Sequence, residues 1–209
     1  MNTLHRLSVT ACAALLVAGC SQSSNNATPA EKPAAQTAAA PEIISAKTAF
    51  WEMYKSAHAW ASDIELIRVT AKEVPGFKNA EGKAGMWEAV FGSPSLGSYR
   101  TFTYAIVDAP PTVSKGVAAG LAMPWKGPTR DAMPVDITMF NVDSDAAYTA
   151  AAADAATWLK GNPGKELSDF ELGDTYKFDA PVWYVMWGSK AAGYASIVDA
   201  NSGKVLSHK

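Results

Sequence analysis

The sequence predicts an α+β fold. We expect two repeats, each one helix plus an antiparallel sheet of three to four strands, joined as a pseudo-symmetric single body. Three observations predict it. A tryptophan-led strand occurs twice, as Trp87-Glu88-Ala89-Val90-Phe91-Gly92-Ser93 and as Trp183-Tyr184-Val185-Met186-Trp187-Gly188-Ser189. Each copy is followed by a run closing on Val-Asp-Ala, at Ile106–Ala109 and Ile197–Ala200. Each is preceded by apolar residues at helical spacing, and the landmarks keep nearly constant offsets: 98 between Trp60 and Trp158, 96 between Trp87 and Trp183, 91 between Val107 and Val198. An ordered series of matching landmarks marks an internal repeat, and a repeat changes the whole fold assignment.

The helices and strands follow from periodicity. Ser45 is expected to cap a first helix whose stripe is Phe50, Met53, Tyr54, Ala57, Trp60 and Ala61. Strand-like runs follow at 64–71, 86–91 and 99–107, punctuated by Pro75-Gly76 and Ser93-Pro94-Ser95 and closed by Pro110-Pro111. Within 112–141, residues 117–123 and 135–140 read as two further strands. Asp143 and Asp145 then cap a second helix carrying Tyr148, Ala151, Ala152, Ala155, Trp158 and Leu159, which Gly161-Asn162-Pro163-Gly164 stops. Phe170, Leu172, Tyr176 and Phe178 fall at even positions, the period of a half-buried strand running to 178. Runs at 182–187, 194–198 and 204–206 complete the set, the last two joined by an Asn201-Ser202-Gly203 turn. Domain boundaries follow: a signal peptide over 1–19, an anchor and tether over 20–41, a first repeat over 42–111, a connecting segment over 112–141 and a second repeat over 142–209. One repeat alone would bury a marginal core, so the two are expected to complete each other.

The N-terminus is read as a targeting device. Arg6 precedes a short apolar run at 9–17, too short to span a bilayer comfortably. The run ends in Val17-Ala18-Gly19-Cys20, which resembles the bacterial lipobox. That resemblance implies cleavage before Cys20, a diacylglycerol thioether on its sulfur and an acyl chain such as palmitate on the new amino group. Ser21 follows where an inner-membrane retention signal would place Asp, so the expected address is the outer membrane, facing the periplasm. Several acyl chains hold firmly, since each buried CH₂ adds about 0.8 kcal/mol. Residues 21–41 lack large apolar side chains and are expected to form a disordered tether reaching roughly 60 Å when stretched. Cys12 leaves with the signal and Cys20 is lipidated, so neither a disulfide nor thiol chemistry is expected.

The second repeat carries a family resemblance. Its capped helix, the strand at 183–187 and the ending Tyr194-Ala195-Ser196-Ile197-Val198-Asp199-Ala200-Asn201-Ser202-Gly203-Lys204-Val205-Leu206 resemble a PepSY-type domain. The first repeat matches through Tyr104-Ala105-Ile106-Val107-Asp108-Ala109 and then departs into Pro110-Pro111. The resemblance implies a small envelope module of the kind also found in peptidase propeptides. That family has no shared catalytic residues, so none are carried over.

Composition narrows the function. A chain of 209 residues with 48% hydrophobic content can build a core, and a net charge of −2 offers no basic field for nucleic acid. Beyond the signal only His58 and His208 remain, with no Cys to join them, so neither a metal nor a cofactor is expected. His58 is read as a surface helix residue and His208 as part of a mobile end. Ser93 and Ser189 follow the Trp strands as turn residues, and Asp108 and Asp199 close equivalent strands as turn formers. The remaining candidates are aromatic. Trp187 lies four residues beyond Trp183, on the same strand face and roughly 13 Å away, and Trp87 with Phe91 repeats the arrangement. These four are core under the helices or, alternatively, a stacking surface for a peptide, glycan or protein. The expected function is a non-catalytic, lipid-anchored binding or interaction module of the cell envelope, with peptide or peptidase binding implied by the PepSY resemblance. Two alternatives stand beside it: an envelope hydrolase with an acidic site and a purely structural envelope lipoprotein. The expected partners are the membrane, through Cys20, and a protein or peptide of unknown identity.

Overall fold

A computed structural model describes residues 41–208. The expected signal peptide, Cys20 and all of the expected tether but its last residue lie outside them. In chain order the elements are α1 (Ala46–Trp60), β1 (Glu65–Lys72), β2 (Met86–Ser93), β3 (Ser98–Ala105), β4 (Gly116–Ala119), β5 (Met123–Pro124), a 3-10 turn (Ile137–Met139), α2 (Ser144–Asp154), α3 (Ala156–Gly161), β6 (Leu167–Gly173), β7 (Val182–Trp187), β8 (Tyr194–Asp199) and β9 (Val205–His208). All pairings between named strands are antiparallel and build one 9-stranded sheet in the order β4-β3-β2-β1-β6-β7-β8-β9, with β5 continuing along β3. The strands of 42–111 and those of 142–209 meet at β1 and β6, where Thr70 pairs with Glu171.

Alternation along the strands sorts side chains between two faces. One face receives Leu66, Val69, Trp87, Ala89, Phe91, Phe102, Phe170, Leu172, Trp183, Val185, Trp187 and Val198, which form a single core cluster with Ala46, Ala49, Phe50, Met53 and Ala57 of α1 and Ala147 and Ala151 of α2. Both long helices therefore lie on the same side of the sheet. Alanines on the helix faces let large rings from the strands approach: Phe50 stacks on Phe91 at 6.2 Å, and Tyr148 meets Trp187 at 6.0 Å.

Asp143 caps α2 as expected, and the start of α1 departs from expectation. Ser45 occupies the cap position of α1, but its hydroxyl meets Thr48 Oγ1 rather than a backbone N–H. The first N–H groups of α1 are satisfied from the start of α2: Ala46 N–H donates to Ser144 Oγ at 2.8 Å and Lys47 N–H to Asp143 Oδ1 at 2.9 Å. Asp143 Oδ1 also accepts from Ser144 N–H at 2.7 Å. The two N-termini meet, and one carboxylate serves both. Gly82 lets the β1–β2 loop lie against the start of α2, because a Cβ there would run into the Ser144 backbone.

Five further expectations are corrected. The strand expected over 135–140 is the 3-10 turn, because Asp136 accepts from Thr138 N–H and Oγ1 and offers the backbone a local alternative to pairing. The strand over 117–123 is split into β4 and β5, with Gly120, Leu121 and Ala122 standing between them. The second helix breaks at Ala155 into α2 and α3. The strand expected to reach Phe178 stops at Gly173; Tyr176 and Phe178 lie in the following loop, where Tyr176 N–H donates to the Arg130 carbonyl at 3.0 Å. His208 belongs to β9 opposite Ser196 instead of to a mobile end.

Candidate functional site

The four aromatic candidates are not a surface. Trp87, Phe91 and Trp183 are 0% exposed and Trp187 is 3% exposed. Trp87 Nε1–H donates to the Ile44 carbonyl at 2.9 Å and Trp183 Nε1–H to the Val142 carbonyl at 3.0 Å, so each indole pins the segment entering a helix. Their spacing does place them on one strand face, and that face is the one the helices cover. The stacking-platform reading is therefore withdrawn. Cys20 lies outside the described residues.

Among the described residues, the opposite face of the sheet carries no helix. A single row crosses seven strands there: Thr103, Glu88, Thr70, Glu171, Tyr184, Ile197 and Ser207 are successive register partners. The row is polar at its centre, as expected for a face that meets water.

Beside this row lies a cleft of about 260 Å³. Gly173, with no side chain, leaves its floor open. The β1 register shifts between Leu66 and Arg68, and this bulge turns both Ile67 and Arg68 toward the cleft. Val182, Tyr184, Ile197 and Ser207 continue the lining. Two loops form the walls, Asp131-Ala132 from the connecting segment and Asp174 to Phe178 from the β6–β7 loop. They hold each other through Met133 N–H to the Asp174 carbonyl at 3.0 Å and through the Arg130 guanidinium, 3.9 Å from the Tyr176 ring centre.

The cleft carries five charges, with Asp131, Glu171 and Asp174 against Arg68 and Lys177. Burial raises the Glu171 carboxyl above its ordinary 4.5; Arg68 opposes the shift and Asp169 adds to it. The Arg68 Nε contact is long, 3.7 Å to Glu171 Oε2, and Thr70 Oγ1 reaches the same oxygen only at 3.5 Å. Glu171 is thus desolvated and under-partnered. Burial raises Asp174 as well, and it raises the Tyr184 phenol, with Asp169 and Glu171 adding to that last shift. An apolar floor beside an excess of carboxylates suits an apolar group next to a cationic donor.

The Glu171 shift has a stability consequence. Its pKa is higher folded than unfolded, so the folded state binds more protons and stability falls as pH rises from 4.5 through the folded value. Glu171→Gln is expected to remove that fall, leaving the variant more stable than wild type near neutral pH and closer to it in acid. Urea unfolding from about pH 4 to about pH 7 measures this; parallel pH profiles for the two proteins would contradict it.

Other polar clusters are occupied with structure. Asp63 accepts from Ser93 Oγ and from Ser95 N–H, both at 2.7 Å, closing the β2–β3 turn. Asp154 accepts from Ser196 Oγ and, at 3.0 Å, from the Tyr194 hydroxyl, with His208 Nδ1 at 3.4 Å. Ser196 is 0% exposed, and the cluster fastens the edge strand β9 to the end of α2. His58 is exposed on α1 with its ring 6.0 Å from Tyr54. Among the described residues no cluster of His, Cys, Asp or Glu has the arrangement of a metal site, and no helix is long and apolar enough to cross a membrane.

No family profile and no curated protein sequence matches the chain. Among solved structures it is similar to a protein described as a candidate lipoprotein from Clostridium difficile 630, with a TM-score of 0.50 at 10% sequence identity over 77% of this chain and 91% of that one. At that identity the likeness shows the fold.

Proposed function

We propose that the chain is a lipid-anchored, non-catalytic binding module of the bacterial envelope. In this reading two PepSY-like halves share one sheet, and the cleft beside their seam holds a short extended peptide segment with a basic side chain next to an apolar one. The observation that carries the proposal is the cleft itself: a glycine-floored recess on the uncovered sheet face, with an under-partnered carboxylate at its edge.

Matched contacts support the repeat. Trp87 to Ile44 answers Trp183 to Val142. Trp60 meets Phe102 at 6.3 Å, as Trp158 meets Tyr194 at 5.8 Å. The strand order also reads alike outward from β1 and from β6. The lipobox at 17–20 supports anchoring through Cys20, and the description of the solved neighbour agrees with it. Ser21 supports an outer-membrane address facing the periplasm. A non-catalytic role accords with Ser93 and Ser196, whose carboxylate partners hold a turn and an edge strand.

Gly173→Val tests the cleft. A Cβ there meets only the Ile67 carbonyl oxygen, at 4.0 Å, an ordinary van der Waals contact, and Gly173 itself lines the cleft. Removing a strand glycine is expected to raise stability by about 0.5–1 kcal/mol. Wild-type protein panned against a random hexapeptide library is expected to enrich basic residues beside apolar ones, and Gly173→Val to lose at least roughly tenfold in affinity for those peptides. Equal binding by the variant, or no enrichment with wild type, would count against the reading.

A further inference from the structure

We propose that a recess beside Trp125 binds the ammonium group of a small primary alkylamine. The recess holds about 490 Å³ and is lined by Glu65, Pro94, Trp125, Lys126, Gly127 and Pro128. Strand register places it. Glu65 is the partner of Gly92, which lies four residues beyond Glu88, so both positions belong to the uncovered face of the sheet. Gly92 leaves room there for an aromatic ring: a Cβ would come within 2.6 Å of the benzene part of the Trp125 indole. Trp125 N–H donates to the Gly97 carbonyl at 2.9 Å and fastens the start of the loop that continues as Lys126-Gly127-Pro128. The ring thus rests on the sheet next to the Glu65 position and remains partly exposed.

Glu65 selects the ligand. Its Oε2 is buried and meets no hydrogen-bond donor among the described residues. A carboxylate withdrawn from water without a donor is costly, and an N–H donor offsets that cost. The protein's own cations are placed elsewhere. Arg100 lies over the Trp60 ring at 5.6 Å, and Arg68 is 3.7 Å from Glu171. Lys126 is exposed, and among the described residues Glu65 forms no ion pair. Asp63 adds a second negative charge, held by Ser93 and Ser95 on either side of Pro94. Two carboxylates therefore stand against the single ammonium of Lys126 around the recess. An indole ring beside a carboxylate suits an alkylammonium group, the ring through its quadrupole and the carboxylate through a charge-assisted hydrogen bond. A primary ammonium supplies the N–H that Glu65 lacks, and Pro94 and Pro128 offer apolar contact to the alkyl chain. The recess shares no lining residue with the cleft, so the proposal holds or fails separately from the peptide reading.

Fluorine NMR tests it. The full chain, held in a non-ionic detergent, is labelled with 5-fluorotryptophan at its seven tryptophans, and Trp125→Phe identifies the resonance of residue 125. The probes are n-butylammonium chloride and tetramethylammonium chloride, with sodium chloride at equal ionic strength as the control. The resonance of residue 125 is expected to shift saturably with n-butylammonium, more weakly with tetramethylammonium, which has no N–H, and not with sodium. Glu65→Gln keeps the shape of the side chain and is expected to weaken n-butylammonium binding at least about tenfold. The remaining tryptophan resonances show whether that variant keeps its fold. Gly92→Ala, which displaces the Trp125 ring and leaves Glu65 in place, is expected to weaken binding as well. The wild-type titration decides by itself: no saturable shift at residue 125, or one matched by sodium chloride, would overturn the proposal. So would tighter binding of tetramethylammonium, or equal binding of n-butylammonium by a folded Glu65→Gln.

Discussion

Trp183→Ala is expected to destabilise the protein by about 3–5 kcal/mol, the range for emptying a buried tryptophan site. Trp183 is 0% exposed and lies 5.0 Å from Phe170, 5.7 Å from Phe140 and 6.4 Å from Trp87 between ring centres. Its contact with Trp87 joins strands of both halves, so the loss is expected to lower one cooperative transition instead of melting half of the molecule. Trp183→Phe keeps a ring but leaves the Val142 carbonyl without the indole donor, at a cost of about 1–3 kcal/mol. Urea unfolding followed by circular dichroism measures both. A loss below about 1 kcal/mol for the alanine variant would mean that the site is not the packed centre described above.

Asp143→Ala is the second large effect. One carboxylate oxygen accepts from Ser144 N–H and Lys47 N–H, at the starts of two helices far apart in sequence. Its removal is expected to cost about 1–3 kcal/mol, more than an ordinary cap, because two donors lose their acceptor. Ser45→Ala provides the contrast. Ser45 stands where the sequence places the cap of α1, yet its hydroxyl serves only Thr48, and its loss is expected to fall within about 0.5 kcal/mol of zero. Equal costs at the two positions, measured by the same unfolding experiment, would contradict the shared cap.

These two sites show how much of the molecule was legible beforehand. The Trp-led strands and helical stripes were readable because period and burial coincide there: Phe50, Met53 and Ala57 repeat at helical spacing and are all 0% exposed. Whether Trp183 and Trp187 faced helix or solvent was not readable, since alternation places residues on a common face without saying what covers it. The cap of α1 was misread because local spacing points to Ser45, while the acceptor comes from a segment some 96 positions away. Tyr176 and Phe178 kept the strand's period past its end, and only the pairing of this loop with the connecting segment takes them out of the sheet.

The cleft was the least legible part. Its lining comes from β1, the connecting segment, β6 and its following loop, β7, β8 and β9, and no short window of sequence contains it. Two signals were present. Glu171 and Tyr184 alternate with core residues and therefore mark the uncovered face, and Gly173 interrupts a strand whose other positions carry side chains. The bulge that brings Ile67 and Arg68 together has no signature in the residues themselves.

The most direct test of the central claim, that this molecule meets its partner through the uncovered sheet face, is photo-crosslinking in cells. Benzoylphenylalanine placed at Tyr184, in the cleft, is compared with the same group at Ala153 on the helix side. The account predicts a discrete crosslinked partner at 184, none at 153, and loss of the product at 184 when Gly173→Val fills the cleft. A product at 153 instead, or one at 184 that survives Gly173→Val, would contradict it.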